Sequence, residues 1–445
     1  MGVLLRGGVV VIRDFIGEAD ILVEDGKIVR LGKNIESGYS KVVDVRGRLL
    51  LPGAIDAHVH GREPGLEYKD DFTHTSMAAA LGGVTTVFDM PNTVPPVDSP
   101  ARLAEKRALL SSKSYVDFGL YAVLYDYHDD VESRVVELVR AGAIGFKAFL
   151  GQTVGGIPPP SFGTVYKAME LSRKLGFVIA FHAEDRGCVD FFTDSVLREG
   201  RTGLKAYSDA RPPICEKLSI DFVLSIASMT GGKAYIAHLT AATALNEIAR
   251  FRRSFPGIFV ETTPTYLFFD YEHHENLGTL LKVNPPIRSY KNRKKLWDAL
   301  SRGIIDVVAT DHAPHAPHEK ATDFWKAAPG VASIQHLLPL MVSSALEGYI
   351  SLNKVVELCS ENPAKIFGLY PVKGTLLPGA NADIVVIDPT SEYVVTEDSL
   401  AYKHKLSPYV GWRIRGRVDK VFLRGELVVD EGVLVASRPG GRPIR

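Results

Sequence analysis

Cysteine is scarce in this 445-residue chain: there are three, Cys188, Cys215 and Cys359. They are odd in number and far apart, which argues against a disulfide framework and makes the cytoplasm the default expectation. Neither sign of charge is in excess, with 52 Lys+Arg against 52 Asp+Glu. That balance argues against a dedicated nucleic-acid binder and against a polybasic membrane-surface protein. Long apolar runs are also missing. LLLPGAI at 49–55 is typical of the longest, well short of the ~20 residues that span a bilayer. The opening MGVLLRGGVVVIRDF carries arginines inside its apolar stretch and has no A-x-A site. It does not read as a signal peptide, and it lacks the Ser or Thr of a myristoylation motif. No low-complexity tract and no short solenoid repeat is visible. The remainder has the composition of a globular protein, 46% hydrophobic and 23% charged. Its length allows about three domains of ~150 residues, or one large barrel with an accessory layer.

Both ends read as β-structure. VVVIR, ADILVEDGKIVRLG and KVVDVRGRLLLPG alternate apolar and polar residues between DG and RG turns, and the texture returns in GANADIVVIDP and WRIRGRVDKVFLRGELVVDEGVLV. Residues 1–53 and 371–445 are therefore expected to pair into one composite β-sandwich. Residues 54–370 alternate strands and helices. Eight strand candidates are AIDAHVH (54–60), VTTVFDM (84–90), VDFGLYAVL (116–124), AIGFKAF (143–149), FVIAFHA (177–183), KAYIAHL (233–239), IFVETT (258–263) and IIDVVAT (304–310). Helical patterns such as SPARLAEKRALLSS and GTVYKAMELSRKLG separate them. Eight β–α repeats with polar residues at the strand C-termini predict an α/β fold, a closed (β/α)8 TIM-type barrel, over a doubly wound sheet.

Those polar residues carry the chemistry. His58 and His60 lie two apart on one strand, so both side chains share a face at its C-terminal end and can hold one metal ion. His182 ends FVIAFH, His238 ends KAYIAH, Asp311 follows VVAT, and Lys147 sits inside the apolar GFKAF. Singly, each has an ordinary explanation: a core histidine, a helix N-cap, a snorkelling lysine. In a barrel, however, all these strand ends converge on one mouth. Burial beside cations favours a neutral Lys147 amine. Such an amine can add carbon dioxide to become a carbamate, a carboxylate long enough to bridge two metals. The nitrogen- and oxygen-rich set suits Zn²⁺, with Mn²⁺ or Co²⁺ also compatible. Two metals sharing a water make hydroxide available near neutrality.

At this point the sequence resembles the amidohydrolase superfamily, and within it the cyclic-amide hydrolases. HVHGREPG (58–65), DMPNTVPP (89–96), VNPPIR (283–288), ATDHAPHAPHEK (309–320) and SPYVGWRIRGRV (407–418) are similar to dihydroorotase motifs. The resemblance implies two Zn²⁺ ions, with His58 and His60 on the first, His182 and His238 on the second, N6-carboxylated Lys147 as the bridge, and Asp311 as first-metal ligand and proton shuttle. It implies substrate contacts from Arg62, Asn92 and His315 to a carboxylate, from Asn284 and Pro329-Gly330 to the ring, and from Thr153 on a covering loop. GFKAF departs from bacterial relatives that lack the lysine and carry an FSDDG-type aspartate instead, which is why a carbamate is expected here.

The residue chemistry agrees with an anionic substrate. Arg62 can grip a carboxylate with two parallel N–H···O bonds. Asn92 follows a Met-Pro step at a strand end, and His315 lies four residues beyond Asp311 in a loop with two prolines. His312 and the Glu184-Asp185 pair are left outside the site as support or caps. The expected activity is reversible hydrolysis of (S)-dihydroorotate to N-carbamoyl-L-aspartate, a step of pyrimidine biosynthesis, by a metal-bridging hydroxide. The alternatives are allantoinase or another cyclic-amide hydrolase, or a non-catalytic scaffold. A homo-oligomer and an aspartate transcarbamoylase partner are compatible with the resemblance; no nucleic acid and no membrane are expected.

Overall fold

Eight parallel strands, Ala54–Val59, Val84–Asp89, Asp117–Leu124, Gly145–Phe149, Val178–His182, Lys233–Ile236, Ile258–Thr262 and Val307–Val308, follow one another in sequence order around a barrel. This computed structural model describes residues 2–36, 38, 41–127, 130–151 and 156–445. A parallel bridge between Val59 and His312, with His60 N donating to His312 O at 2.8 Å, brings the end of the eighth strand against the first. The expected barrel is therefore present. Its last strand is shorter than the sequence suggests. Past Val308 the Asp56 carboxylate takes the Thr310 N–H (3.0 Å) and hydroxyl (2.5 Å) in place of a ladder bond.

The helices between the strands begin at side-chain caps. Asp71, Ser99, Ser161, Asp185 and Ser289 each accept from the backbone N–H three residues on, so these ends need no outside partner. Inside the barrel Phe88, Tyr121 and Tyr235 meet Phe367, with ring centroids 4.8 Å (Phe88) and 5.5 Å (Tyr235) from Phe367. This aromatic layer fills the interior and leaves the strand C-termini as the open end.

The two chain ends do join. Leu49–Pro52 pairs antiparallel with Ile384–Val394, Ile384 opposite Pro52 and Ile387 opposite Leu49. Five strands before residue 53 and four after residue 383 form one nine-stranded sheet, mostly antiparallel. What was expected as a sandwich is thus hydrogen-bonded as a single continuous sheet. The last residues leave it for the barrel, where Phe118 N donates to Arg442 O and Ile444 N to Phe118 O, both at 3.0 Å. Among the described residues no helix is long and apolar enough to cross a membrane.

Contrary to the expectation from the cysteine count, one disulfide is present. Cys188 and Cys215 form a disulfide with Cα atoms 5.3 Å apart, while Cys359 is free and buried. The two lie 27 residues apart in sequence. Each is the third residue of its helix (Arg186–Arg198 and Pro213–Thr230), and the short helix Leu204–Ala210 folds the chain back between them. Asp185 N donates to Cys215 O at 2.9 Å. Spacing alone could not reveal this, because a turn of the chain sets the proximity.

Candidate metal centre and ring pocket

The strand ends bring the six candidate ligands together. Asp311 Oδ1 lies 3.3 Å from His58 Nε2 and 3.1 Å from His60 Nε2. Lys147 Nζ is 3.4 Å from His58 Nε2, and His182 Nδ1 is 3.0 Å from His238 Nε2. Ligand atoms of His58, His238 and Asp311 all fall within 4.8 Å of one another. His58, Lys147, His182, His238 and Asp311 are all buried. Arg62 (φ 65°), His238 (φ 40°) and Asp311 (φ 49°) carry left-handed backbone. Non-glycine residues rarely hold that conformation unless the surroundings over-determine it.

The far nitrogens decide which lone pairs face inward. His58 Nδ1 meets Glu261 Oε1 at 2.8 Å, His60 Nδ1 meets Asn92 Oδ1 at 2.8 Å, and His182 Nε2 meets Glu184 Oε2 at 2.9 Å. Each oxygen accepts, so those nitrogens carry the protons and the opposite ones are bare. Burial works against charge on Glu261, but His58, Lys147 and a bond from Tyr235 outweigh it and hold the carboxyl below its usual range. Glu184 is likewise held well below its usual range against burial, by Arg211 and His182. Burial and neighbouring cations keep His60 and His238 far below the ordinary histidine value, so both are neutral. Burial pulls Lys147 down to about 8, with Glu261 and Asp311 pulling back, and raises Asp311. Bare imidazole nitrogens converging on a carboxylate and a lysine make a donor set that fits a divalent cation such as Zn²⁺.

The same residues, together with Arg62, Asn92, Asn284, Pro329 and Gly330, line a cavity of about 250 Å³. Arg62 is buried; Nε donates to Pro314 O at 3.0 Å, and Nη2 lies 3.3 Å from His315 Nε2. Burial lowers its pKa to about 10, against the pull of Asp311, Glu319, Asp70 and Asp89, and leaves it charged at neutrality. His315 stands behind this wall, with Nε2 3.0 Å from Pro329 O and Nδ1 3.2 Å from Lys69 Nζ. A Cβ on Gly330 (φ 152°) would meet Ala313 O at 2.4 Å, so only glycine fits there. Thr153 lies outside the described residues.

Glu184, left outside the site as support or a cap, and Glu261, not singled out in the sequence, both orient candidate ligands. Glu184 is spaced two from His182, the same signal that paired His58 with His60. Glu261 is the one acidic residue in the strand IFVET, where a carboxylate needs a partner. Asp185 is a cap, as expected, accepting from Cys188 N at 2.7 Å. His312 takes the Ser333 N–H at 3.1 Å and supports the site from behind.

Residues 49–428 match the amidohydrolase family. An allantoinase of Escherichia coli O1:K1 / APEC is 33% identical over 98% of this chain and 97% of its own length. An allantoinase of Rubrobacter xylanophilus is 35% identical over 99% and 97%. Among solved structures, the L-hydantoinase (dihydropyrimidinase) from Arthrobacter aurescens superposes with a TM-score of 0.95 at 30% identity, covering 99% of this chain and 98% of that one. The dihydropyrimidinase from Brevibacillus agri NCHU1002 gives 0.93 at 29%, covering 100% and 98%.

Proposed function

The chain belongs to the amidohydrolase family, and from that premise we propose that it is a metal-dependent hydrolase of a cyclic ureide, opening the ring at an amide C–N bond. The observation that carries this is the convergence of His58, His60, Lys147, His182, His238 and Asp311 on one buried mouth beside the Arg62-lined cavity. Two Zn²⁺ ions would find their ligands here, one from His58, His60 and Asp311 and the other from His182 and His238, and Lys147, once carboxylated, would supply a further carboxylate between them. When bound, the metals supply the acidity that makes a nucleophile from water near neutrality. Asp311 takes the proton of that water and delivers it to the leaving ring nitrogen, so the amide bond breaks as the new C–O bond forms. Arg62 and Asn92 hold the ring substituent, and Asn284 and the Pro329-Gly330 segment hold the ring edge.

The whole-chain similarity supports allantoin as the ring: the relatives named above are allantoinases and hydantoinases, and none bears the name dihydroorotase. Dihydroorotate is the second reading, favoured by a buried guanidinium lining the cavity, since Arg62 suits a ring carboxylate that allantoin lacks. An aspartate transcarbamoylase partner has no observation behind it and forms no part of the proposal. The test is ring opening of allantoin, dihydroorotate and hydantoin by purified protein, with and without Zn²⁺ and bicarbonate. Metal-dependent opening of one ring assigns the substrate. If no ring opens in zinc-loaded protein, the enzyme reading fails and a scaffold role replaces it.

A further inference from the structure

Behind the pocket a chain of buried polar contacts runs from a candidate metal ligand to a pocket residue. His182 Nε2 donates to Glu184 Oε2 at 2.9 Å. Arg211 grips the same carboxylate with two bonds, Nε to Oε1 at 3.0 Å and Nη2 to Oε2 at 2.5 Å. The Arg211 guanidinium also packs over the Tyr207 ring, its central carbon 5.8 Å from the ring centre. Tyr207 Oη in turn donates to Asn284 Oδ1 at 2.5 Å. Glu184, Arg211 and Tyr207 are all buried. With Asn284 they come from separate places in the fold: Glu184 from just past the fifth barrel strand, Tyr207 and Arg211 from the helix Leu204–Ala210 and the residue after it, and Asn284 from the VNPPIR loop.

The Tyr207 hydroxyl gives its proton to Asn284 Oδ1, while the Arg211 guanidinium packed over its ring fixes where that hydroxyl sits. With Oδ1 engaged, Asn284 presents its amide N–H₂ to the pocket, where it suits a ring carbonyl oxygen and rejects a ring N–H. At the other end both Glu184 oxygens already accept from the Arg211 guanidinium. His182 Nε2 must therefore be the N–H, which turns the Nδ1 lone pair toward His238 and the metal.

We infer that Arg211 and Tyr207 are positioning residues, one guanidinium setting both the hydrogen-bond donor that Asn284 offers the substrate ring and the lone pair that His182 offers the metal. Ring recognition and metal binding thus depend on the same group. The inference rests on the pocket being the ring-opening site proposed above.

Three variants test it. Tyr207→Phe removes one hydroxyl and keeps the shape; KM for the ring should rise about fivefold, the worth of one neutral hydrogen bond, with a smaller change in kcat and unchanged zinc content. Arg211→Lys keeps the charge but loses the fork. It should raise KM and also weaken Zn²⁺ binding by about tenfold in a titration of metal-free protein. The double variant E184Q/R211Q removes both buried charges together, so no unpaired ion is left to unfold the chain; it too should bind zinc more weakly. Unchanged KM in Tyr207→Phe, or unchanged zinc affinity in both Arg211 variants, overturns the inference. Failure of the ring-opening reading looks different: wild-type protein would open no ring, while the zinc titrations would still give their answer.

Discussion

Glu261 and His58 meet at 2.8 Å across the barrel, both buried, with Oε1 accepting from Nδ1. The same carboxylate takes the Tyr235 hydroxyl at 2.7 Å and the His238 backbone N–H at 2.8 Å. One side chain thus orients His58 and anchors the strained turn at His238. Replacing Glu261 by Gln should weaken zinc binding by about 10- to 100-fold, the usual cost of losing an outer partner of a ligand imidazole. Zinc titration of metal-free protein checks this, and an unchanged affinity would mean that packing alone orients His58.

Asp311 separates binding from chemistry. Asp311→Asn keeps the size of the side chain and one oxygen ligand but removes the proton acceptor. Zinc should remain largely bound while kcat falls by about 10²- to 10⁴-fold. Metal content by emission spectrometry, read beside turnover of the same sample, separates the two. Near-native turnover in the variant removes Asp311 from proton transfer.

The barrel was legible because its signals are local. Each strand is a short apolar run closed by a polar residue, and the ligand positions repeat that punctuation. The eighth strand was over-read, since the Asp56 carboxylate that replaces its ladder bonds is more than 250 residues away in sequence. The disulfide and the Arg211 contacts were not legible for a related reason: their partners are brought together by the short helix Leu204–Ala210, and no periodicity encodes such a fold-back. Glu184 was legible as a partner for the His182 imidazole, but a carboxylate at a loop start reads equally well as a cap, and only the folded contact separates the two. His315 carries a different lesson. A loop histidine near a ligand reads as a substrate contact, yet here its ring nitrogens face Lys69 and Pro329 O, and it acts on the cavity through Arg62.

Arg62 distinguishes the two candidate rings. If the substrate carries a carboxylate, Arg62→Lys loses a bidentate, charge-assisted contact, and kcat/KM for dihydroorotate should fall about 10- to 100-fold. A neutral ureide loses one ordinary hydrogen bond, so kcat/KM for allantoin should fall only about fivefold. Measuring kcat/KM for both rings in wild type and variant decides between them by the ratio of the two losses.

The entry to the first barrel helix should show in the pH dependence of stability. Asp71 caps Phe72–Leu81, and its Oδ1 also meets His74 Nδ1 at 2.8 Å. That bond raises His74 above its ordinary 6.5 despite partial burial. Burial pushes Asp71 up, but the His74 bonds outweigh it and hold it below its ordinary 3.8. The raised histidine contributes stability that is full below 6.5 and lost as pH rises through its folded value. The depressed carboxyl contributes stability that is full above 3.8 and lost as pH falls through its folded value. Wild type should therefore exceed His74→Gln in Tm at about pH 5, and the gap should narrow by about pH 9. A gap that stays constant with pH would show that the pair contributes no ionic stabilisation.

Cys188 and Cys215 close a loop of 27 residues, and by loop-closure entropy such a link stabilises the fold by about 3–4 kcal/mol. Cys215 is buried, but Cys188 is partly exposed at the start of its helix, so a dithiol can reach the bond. Thiol titration of denatured protein should find one reactive cysteine, Cys359, before reduction and three after it. Reduction, or the double variant C188S/C215S, should lower Tm, and adding reductant to that variant should lower it no further. Three thiols without reductant would mean that the two cysteines lie side by side unlinked. In that case the 184–188 and 211–215 segments would depend on the Glu184–Arg211 contact and the Asp185-to-Cys215 backbone bond to stay together.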